Sequence, residues 1–154
     1  MNRTETAVRV ETIVEVSQQR AFDVFVDMAA WWPASHHTGE NPWVAIVLQE
    51  QPPKRWFERD EHGAEADWGR VLRYQPSSNL LLDWQLNTEF TYDPSLHTDL
   101  EVRFERLGDA RTRVDLVHRL DGYGDQAAKM LEIFAQPGAW QGVLDAYGAV
   151  ASRG

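Results

Sequence analysis

The amino-acid sequence predicts an α+β protein in which a seven-stranded, curved antiparallel sheet is covered on one face by a long C-terminal helix, with two short helices after the first strand. Three observations lead there. One segment near the N-terminus alternates with period two, and six further β-like segments follow between residues 43 and 120, separated by turn residues. A run directly after the first strand has helical spacing, and residues 127–147 carry two apolar stripes at that same spacing.

Residues 8–16, VRVETIVEV, place Val8, Val10, Val14 and Val16 on one side and Arg9, Glu11 and Glu15 on the other, as in a strand with one wet face. Ser17 can cap a helix whose Phe22, Phe25, Val26 and Ala29 share one side. That helix should end near Trp31-Trp32-Pro33, because proline drives the residue before it out of the helical region. The next strands are WVAIVLQE, KRWFERD, ADWGRVLRY, LLLDWQL, TDLEVRFERL and RTRVDLVHRL. If Gly108-Asp109-Ala110 is a three-residue hairpin loop, the last two strands pair Glu105 with Arg113 and Arg103 with Asp115 outward, and Phe104 with Val114, Val102 with Leu116 and Leu100 with His118 inward. A one-residue slip would lose both charge pairs. At the C-terminus, Ala127, Met130, Leu131 and Phe134 form one stripe and Trp140, Val143, Leu144 and Tyr147 another. A continuous helix would hold Trp140 roughly 120° from the first stripe, so a break at Pro137-Gly138 is expected to reset the phase and turn both halves toward the sheet.

A chain of 154 residues fits a single domain, residues 1–154, with a sizeable core. It has no cysteine, which excludes disulfides, thiolate metal sites and a thiol nucleophile. The N-terminal segment MNRTETAVRVETIVEV has no uninterrupted apolar stretch, so neither a secretory signal nor a spanning helix is expected and a cytoplasmic location follows. A net charge of -9 opposes the electrostatic term behind nucleic-acid and anionic-membrane affinity, which leaves neither as an expected partner. Seven tryptophans suit a core with a hollow in it, or an interaction surface.

The stretch KRWFERDEHGAEADWGRVLRYQPSSNLLLDWQL, followed by TDLEVRFERLGDARTRVDLVHRLDGYGD and GAWQGVLDAYGAVA, resembles the SRPBCC (START and Bet v 1-like) superfamily, and within it the branch related to the activator of heat shock protein 90 ATPase. The likeness extends over residues 6–152. It implies a helix-grip fold with a pocket between sheet and C-terminal helix, and a function drawn from a wide set: hydrophobic-ligand binding, cyclase or dehydratase chemistry, or stimulation of a chaperone. One departure stands out: where the family often carries a glycine pair, this chain has Pro53-Lys54-Arg55 before Trp56, so the bend must be made differently.

The expected ligand pocket is lined by Trp32, His37, Trp56, Leu82, Trp84, Leu100, Phe104, Leu116, His118, Met130, Phe134, Trp140 and Leu144. His36 and His37 are adjacent, so in extended chain they point apart and could not readily serve one metal, whereas His37 could stand at the pocket mouth. His118 falls on the inner face, either as a polar handle for a ligand or as a core histidine bonded to backbone or to Tyr123. Asp83 falls on the outer face as an ordinary strand charge, and Glu58, Asp60, Glu61, Glu65 and Asp67 read as the solvated charges of a surface hairpin. Nucleophile, phosphate-loop and dinucleotide motifs are absent.

The expectation is therefore a binding or carrier protein for a hydrophobic small molecule, with no cofactor, no metal and no assigned catalytic residue. Two alternatives stay open. One is a chaperone-associated or self-associating protein acting through an exposed patch around Trp31-Trp32; the other is a cyclase- or dehydratase-like enzyme in which His118 works with Tyr123 or His37.

Overall fold

Residues 6–153 are described by the structure, a computed structural model. The first five residues, part of the segment considered above for a leader or spanning helix, lie outside the described residues. The strands are β1 (Ala7–Val14), β2 (Trp43–Leu48), β3 (Arg55–Asp60), β4 (Glu65–Gln75), β5 (Asn79–Trp84), β6 (Thr98–Gly108) and β7 (Arg111–Arg119). The helices are α1 (Gln18–Val26), a 3-10 turn at Met28–Ala30, a second at Asp121–Gln126, then α2 (Ala127–Phe134) and α3 (Gly142–Ala151). Every β-like segment of the sequence is a strand, with ends moved by a few residues because the terminal side chains enter turns.

The strands form one antiparallel sheet of order β1-β7-β6-β5-β4-β3-β2. Strands β2 to β7 meander, while β1 lies at the edge opposite β2. The chain between β1 and β2 must therefore cross the full width of the sheet, about 29 Å at ~4.8 Å per strand. Helix α1 and the tryptophan pair travel with that crossing. Register shifts at Trp43/Ala45, Trp56/Phe57 and Val71/Arg73 place bulges in the β2–β5 half and curl it around the helices.

The Ser17 hydroxyl accepts the N–H of Arg20 at 3.2 Å, as a helix cap should. The helix stops at Val26, earlier than the Trp-Trp-Pro signal, and the 3-10 turn carries the chain on to Trp31. Phe22 and Phe25 meet the Phe104 ring at 5.2 and 5.6 Å, and the Tyr147 hydroxyl donates to the Ala21 carbonyl at 2.7 Å, which ties α1 to both the sheet and α3. Burial pushes the Tyr147 hydroxyl well above its ordinary pKa.

The β6–β7 register is the expected one from Leu100–His118 to Arg106–Thr112. Gly108 pairs with Arg111, however, so the turn is two residues, Asp109-Ala110, and a bulge falls between Arg106 and Gly108. Glu105 and Arg113 form their ion pair, but Arg103 instead donates to Glu101 at 3.1 Å. Glu101 is mostly buried on the outer face; burial would raise its pKa, but hydrogen bonds from Asn79, Arg103 and Arg119 prevail and bring it down to about 2. Nearby, the outer-face ring of Phe57 is roofed by the guanidinium of Arg55 at 4.1 Å. The bend before Trp56 is made by Lys54, which takes a left-handed conformation (φ 56°) and donates its N–H to the Gln51 carbonyl at 2.9 Å.

The C-terminal helix is broken where expected. Helix α2 buries Ala127, Met130 and Phe134; α3 buries Val143, Leu144 and Tyr147. Between them Pro137–Gln141 makes one wide turn in which Ala139 leaves helical torsions (φ -84°, ψ -123°). Among the described residues no helix is long and apolar enough to cross a membrane.

Strands β4 and β5 approach so closely at Gly69 that a Cβ there would lie 1.7 Å from the Asp83 carbonyl oxygen. Gly69→Ala is expected to lower stability by about 2–4 kcal/mol through forced strand separation, measured as a shifted midpoint in urea unfolding.

Candidate functional site: an aromatic cavity at the helix break

The break at Pro137 leaves the two helical halves unable to cover the sheet continuously, and a cavity of about 500 Å³ opens beneath it. Its walls are Trp68 of β4, Trp84 at the end of β5, Phe134 at the end of α2, Trp140 in the break, and Trp32 and His37 from the crossing segment. Rings meet edge to face or tilted: Trp32 lies 5.2 Å from Trp68 and 6.1 Å from Trp140, and Trp84 lies 5.2 Å from Trp140 and 5.8 Å from Phe134. Such arrangements suit aromatic quadrupoles, and Phe134 and Trp140 are stacked at 6.2 Å.

One end of the cavity is polar. The Trp32 indole N–H donates to the His36 carbonyl at 2.8 Å, the Ser35 hydroxyl lies 3.0 Å from His36 Nδ1, and His36 Nε2 lies 3.4 Å from the Gly138 carbonyl, which fastens segment 32–38 to the helix break. Leu86, Phe90 and Ile133 add apolar lining. Phe90 sits at positive φ (60°), an uncommon place for a bulky residue, with its ring 6.0 Å from that of Phe134.

Of the residues expected to line the pocket, Trp32, His37, Trp84, Phe134 and Trp140 stand on the wall. Trp56, Leu82, Leu100, Phe104, Leu116, Met130 and Leu144 are instead close-packed core, fully or nearly enclosed by their neighbours. Trp56, for example, lies behind the wall against Trp32, Trp68 and Trp84. His118 is corrected in the same way: it is inward and opposite Leu100, but wholly buried and off the wall. Its Nδ1 accepts the Trp140 indole N–H at 3.0 Å, and since an indole nitrogen only donates, the proton of His118 sits on Nε2 and goes to Thr98 Oγ1, 3.0 Å away. Thr98 in turn donates to the Trp84 carbonyl at 2.6 Å. Tyr123, the anticipated partner, donates to the Leu86 carbonyl at 2.6 Å, and burial pushes its pKa up to about 12.

Sequence reasoning missed Trp68, Thr38 and Phe90 on the wall, and misplaced several charges. Glu58, expected in a solvated hairpin, is 2% exposed, because alternation from Trp56 turns it inward. Its Oε1 accepts from Thr38 N at 2.6 Å, Thr38 Oγ1 at 3.1 Å and Trp68 Nε1 at 2.9 Å. Asp60 is also buried; the Asn41 amide, together with the N–H groups of Ala64 and His62, holds its carboxyl below the ordinary range. Asp83 lies on the outer face as expected but is covered, accepting from His97 Nδ1 at 2.6 Å and Thr98 N at 3.1 Å. That carboxylate raises the pKa of His97. Trp31 and Trp32, considered for an exposed patch, are 5% and 6% exposed. Among the described residues no group of three or more histidine, aspartate or glutamate side chains could hold a metal ion.

A curled seven-stranded sheet closed over a C-terminal helix, with a hollow between them, is the helix-grip fold of the SRPBCC, or START and Bet v 1-like, superfamily. No family model matches the chain, and neither does any curated protein. Solved structures do. An anthrahydroquino-gamma-pyrone synthase, Txn09, complexed with SUM, is 28% identical, with 94% of this chain and 96% of that one covered and a TM-score of 0.63. CalC, a self-sacrificing resistance protein from Micromonospora echinospora, is 26% identical over 97% and 96% of the two chains with a TM-score of 0.71. Protein NE0264 from Nitrosomonas europaea, at 10% identity, covers 96% and 95% with a TM-score of 0.67, a likeness of fold alone.

Burial pushes the pKa of His118 down to about 3. An unfolded histidine binds a proton near pH 6.5, so stability is complete above that value and falls as the pH drops from 6.5 toward 3, by ~1.4 kcal/mol per pH unit. Urea unfolding is expected to show about 2 kcal/mol lost from this source between pH 6.5 and 5, and His118→Gln should flatten that pH dependence.

Proposed function

We propose that the protein binds a flat, polycyclic aromatic small molecule in the cavity under the helix break, as a binding or carrier protein. The observation that carries this reading is a hollow of about 500 Å³ walled largely by indole and phenyl rings. That volume is within the range of ligand pockets, and an aromatic lining favours planar ligands over branched aliphatic ones. The likeness to Txn09, which is named an anthrahydroquino-gamma-pyrone synthase, adds support from a protein more than a quarter identical. The polar segment Ser35–Thr38 would meet an oxygenated edge of the ligand, and Leu86, Phe90 and Ile133 would meet hydrocarbon.

The surface-partner alternative has less support, since Trp31 and Trp32, which would form its patch, are buried, and the large apolar residues that are exposed, such as Ile13, Val44 and Leu72, lie on separate strands. The His118 enzyme reading likewise loses its main residue to the core.

Titration with anthraquinone, followed by quenching of tryptophan fluorescence, tests the proposal; saturable quenching is expected, and its absence would sink it. Phe90→Asn offers a sharper check. Asparagine tolerates positive φ, so the variant should melt at the same temperature or higher, while loss of one ring contact weakens anthraquinone binding by about three- to tenfold.

A further inference from the structure

The polar end of the cavity holds one group with an unspent hydrogen-bonding nitrogen. His36 is occupied by Ser35 and Gly138, and His118 is sealed in the core. His37 is different: it stands on the cavity wall, its ring 26% exposed, while its Nδ1 is buried and has no hydrogen-bond partner. That nitrogen faces Glu58 Oε2 at 3.8 Å. Three donors hold Glu58 through its other oxygen, so the carboxylate is fixed and Oε2 is left turned toward the imidazole. A side chain at Gly39 would intrude on this oxygen, since its Cβ would lie 3.1 Å away.

We propose that His37, backed by Glu58, is the proton-accepting group of the cavity, and that the ligand is a polycyclic aromatic bearing a phenol or enol at the edge that meets segment 35–38. This inference rests on the proposed cavity ligand and deepens it. A neutral His37 with its proton on Nδ1, toward Glu58, presents the Nε2 lone pair on the other side of the ring. In the step, the ligand O–H bond breaks and an N–H bond forms at Nε2, leaving a phenolate or enolate beside an imidazolium. No atom or electron is left over. The transferred proton places a positive charge within 4 Å of the Glu58 carboxylate, which balances it. Glu58 is thus a positioning and charge-balancing residue, while His37 meets the ligand. Proton abstraction of this kind is the first requirement for an enzyme acting on an enolisable aromatic, and the same pair would hold a phenol tightly in a carrier.

The test uses 2-hydroxyanthraquinone, whose phenolate absorbs at longer wavelength than its phenol, with 2-methoxyanthraquinone as the probe without a proton. The buffer is set at a pH where the free probe is in its phenol form. Wild-type protein is expected to bind both and to shift bound 2-hydroxyanthraquinone to the phenolate spectrum. His37→Asn, on a partly exposed side chain, should fold normally, lose about tenfold more affinity for the hydroxy compound than for the methoxy compound, and leave the bound hydroxy compound with the phenol spectrum. Glu58→Gln should keep binding while losing most of the spectral shift; if this variant fails to fold, His37→Asn decides alone. A phenol spectrum in the wild-type complex, or a phenolate spectrum that survives His37→Asn, overturns the inference while leaving the cavity reading intact. Failure of both probes to bind overturns the two together.

Discussion

The hydrogen bond from the Trp140 indole to the buried ring of His118 governs how the two layers of this protein meet. It joins the turn between α2 and α3 to the C-terminal end of β7, and Thr98 extends it across β6 to the Trp84 carbonyl. Every polar atom in that chain has a partner, which is what makes it tolerable in a core. It also requires an uncharged imidazole, and complete burial supplies that condition by disfavouring the cation. With Trp140 fixed there, α2 and α3 each bury their own stripe, and the space beside the indole is left open.

That the space persists follows from the shape of its walls. Leucine and valine interdigitate and close gaps, whereas indoles meeting edge to face hold one another apart. Trp32, Trp68, Trp84 and Trp140 form such a frame, edge to face or tilted, and the crossing of the chain from one sheet edge to the other brings Trp32 against Trp68 and Trp140. The polar rim arrives with the same crossing. His36 closes it by contact with Gly138, so the helix break and the loop over it are parts of one mouth.

Carboxylates on this sheet are sorted by depth as much as by face. Glu58, Asp60, Asp83 and Glu101 are all buried, and each is held by donors from other segments: Thr38 for Glu58, Asn41 for Asp60, His97 for Asp83, and Asn79 with Arg119 for Glu101. A carboxylate so held is fixed in place and can act on a neighbour, as Glu58 faces His37. Exposed pairs such as Arg106 with Asp109 have no comparable role, since solvent screens them.

The strand segments, the inward side of β1, β5, β6 and β7, the β6–β7 register, the Ser17 cap and the break at Pro137 were all determined by the sequence alone. Each follows from the immediate chain: side-chain alternation, a hydroxyl at a helix start, a missing N–H. The cavity wall and its polar groups were not determined there. Period two correctly turned Trp56 and Leu82 inward, yet inward residues at the sheet's centre are core and those near the helix break are wall, and that difference depends on how far a helix stands from a strand. The burial of Glu58 depends on Thr38, twenty residues earlier, and that of Asp83 on His97, fourteen residues later. Only the folded sheet brings those donors within reach, because local pattern sets the direction of a side chain, and its depth and partners are set by the segments that close over it.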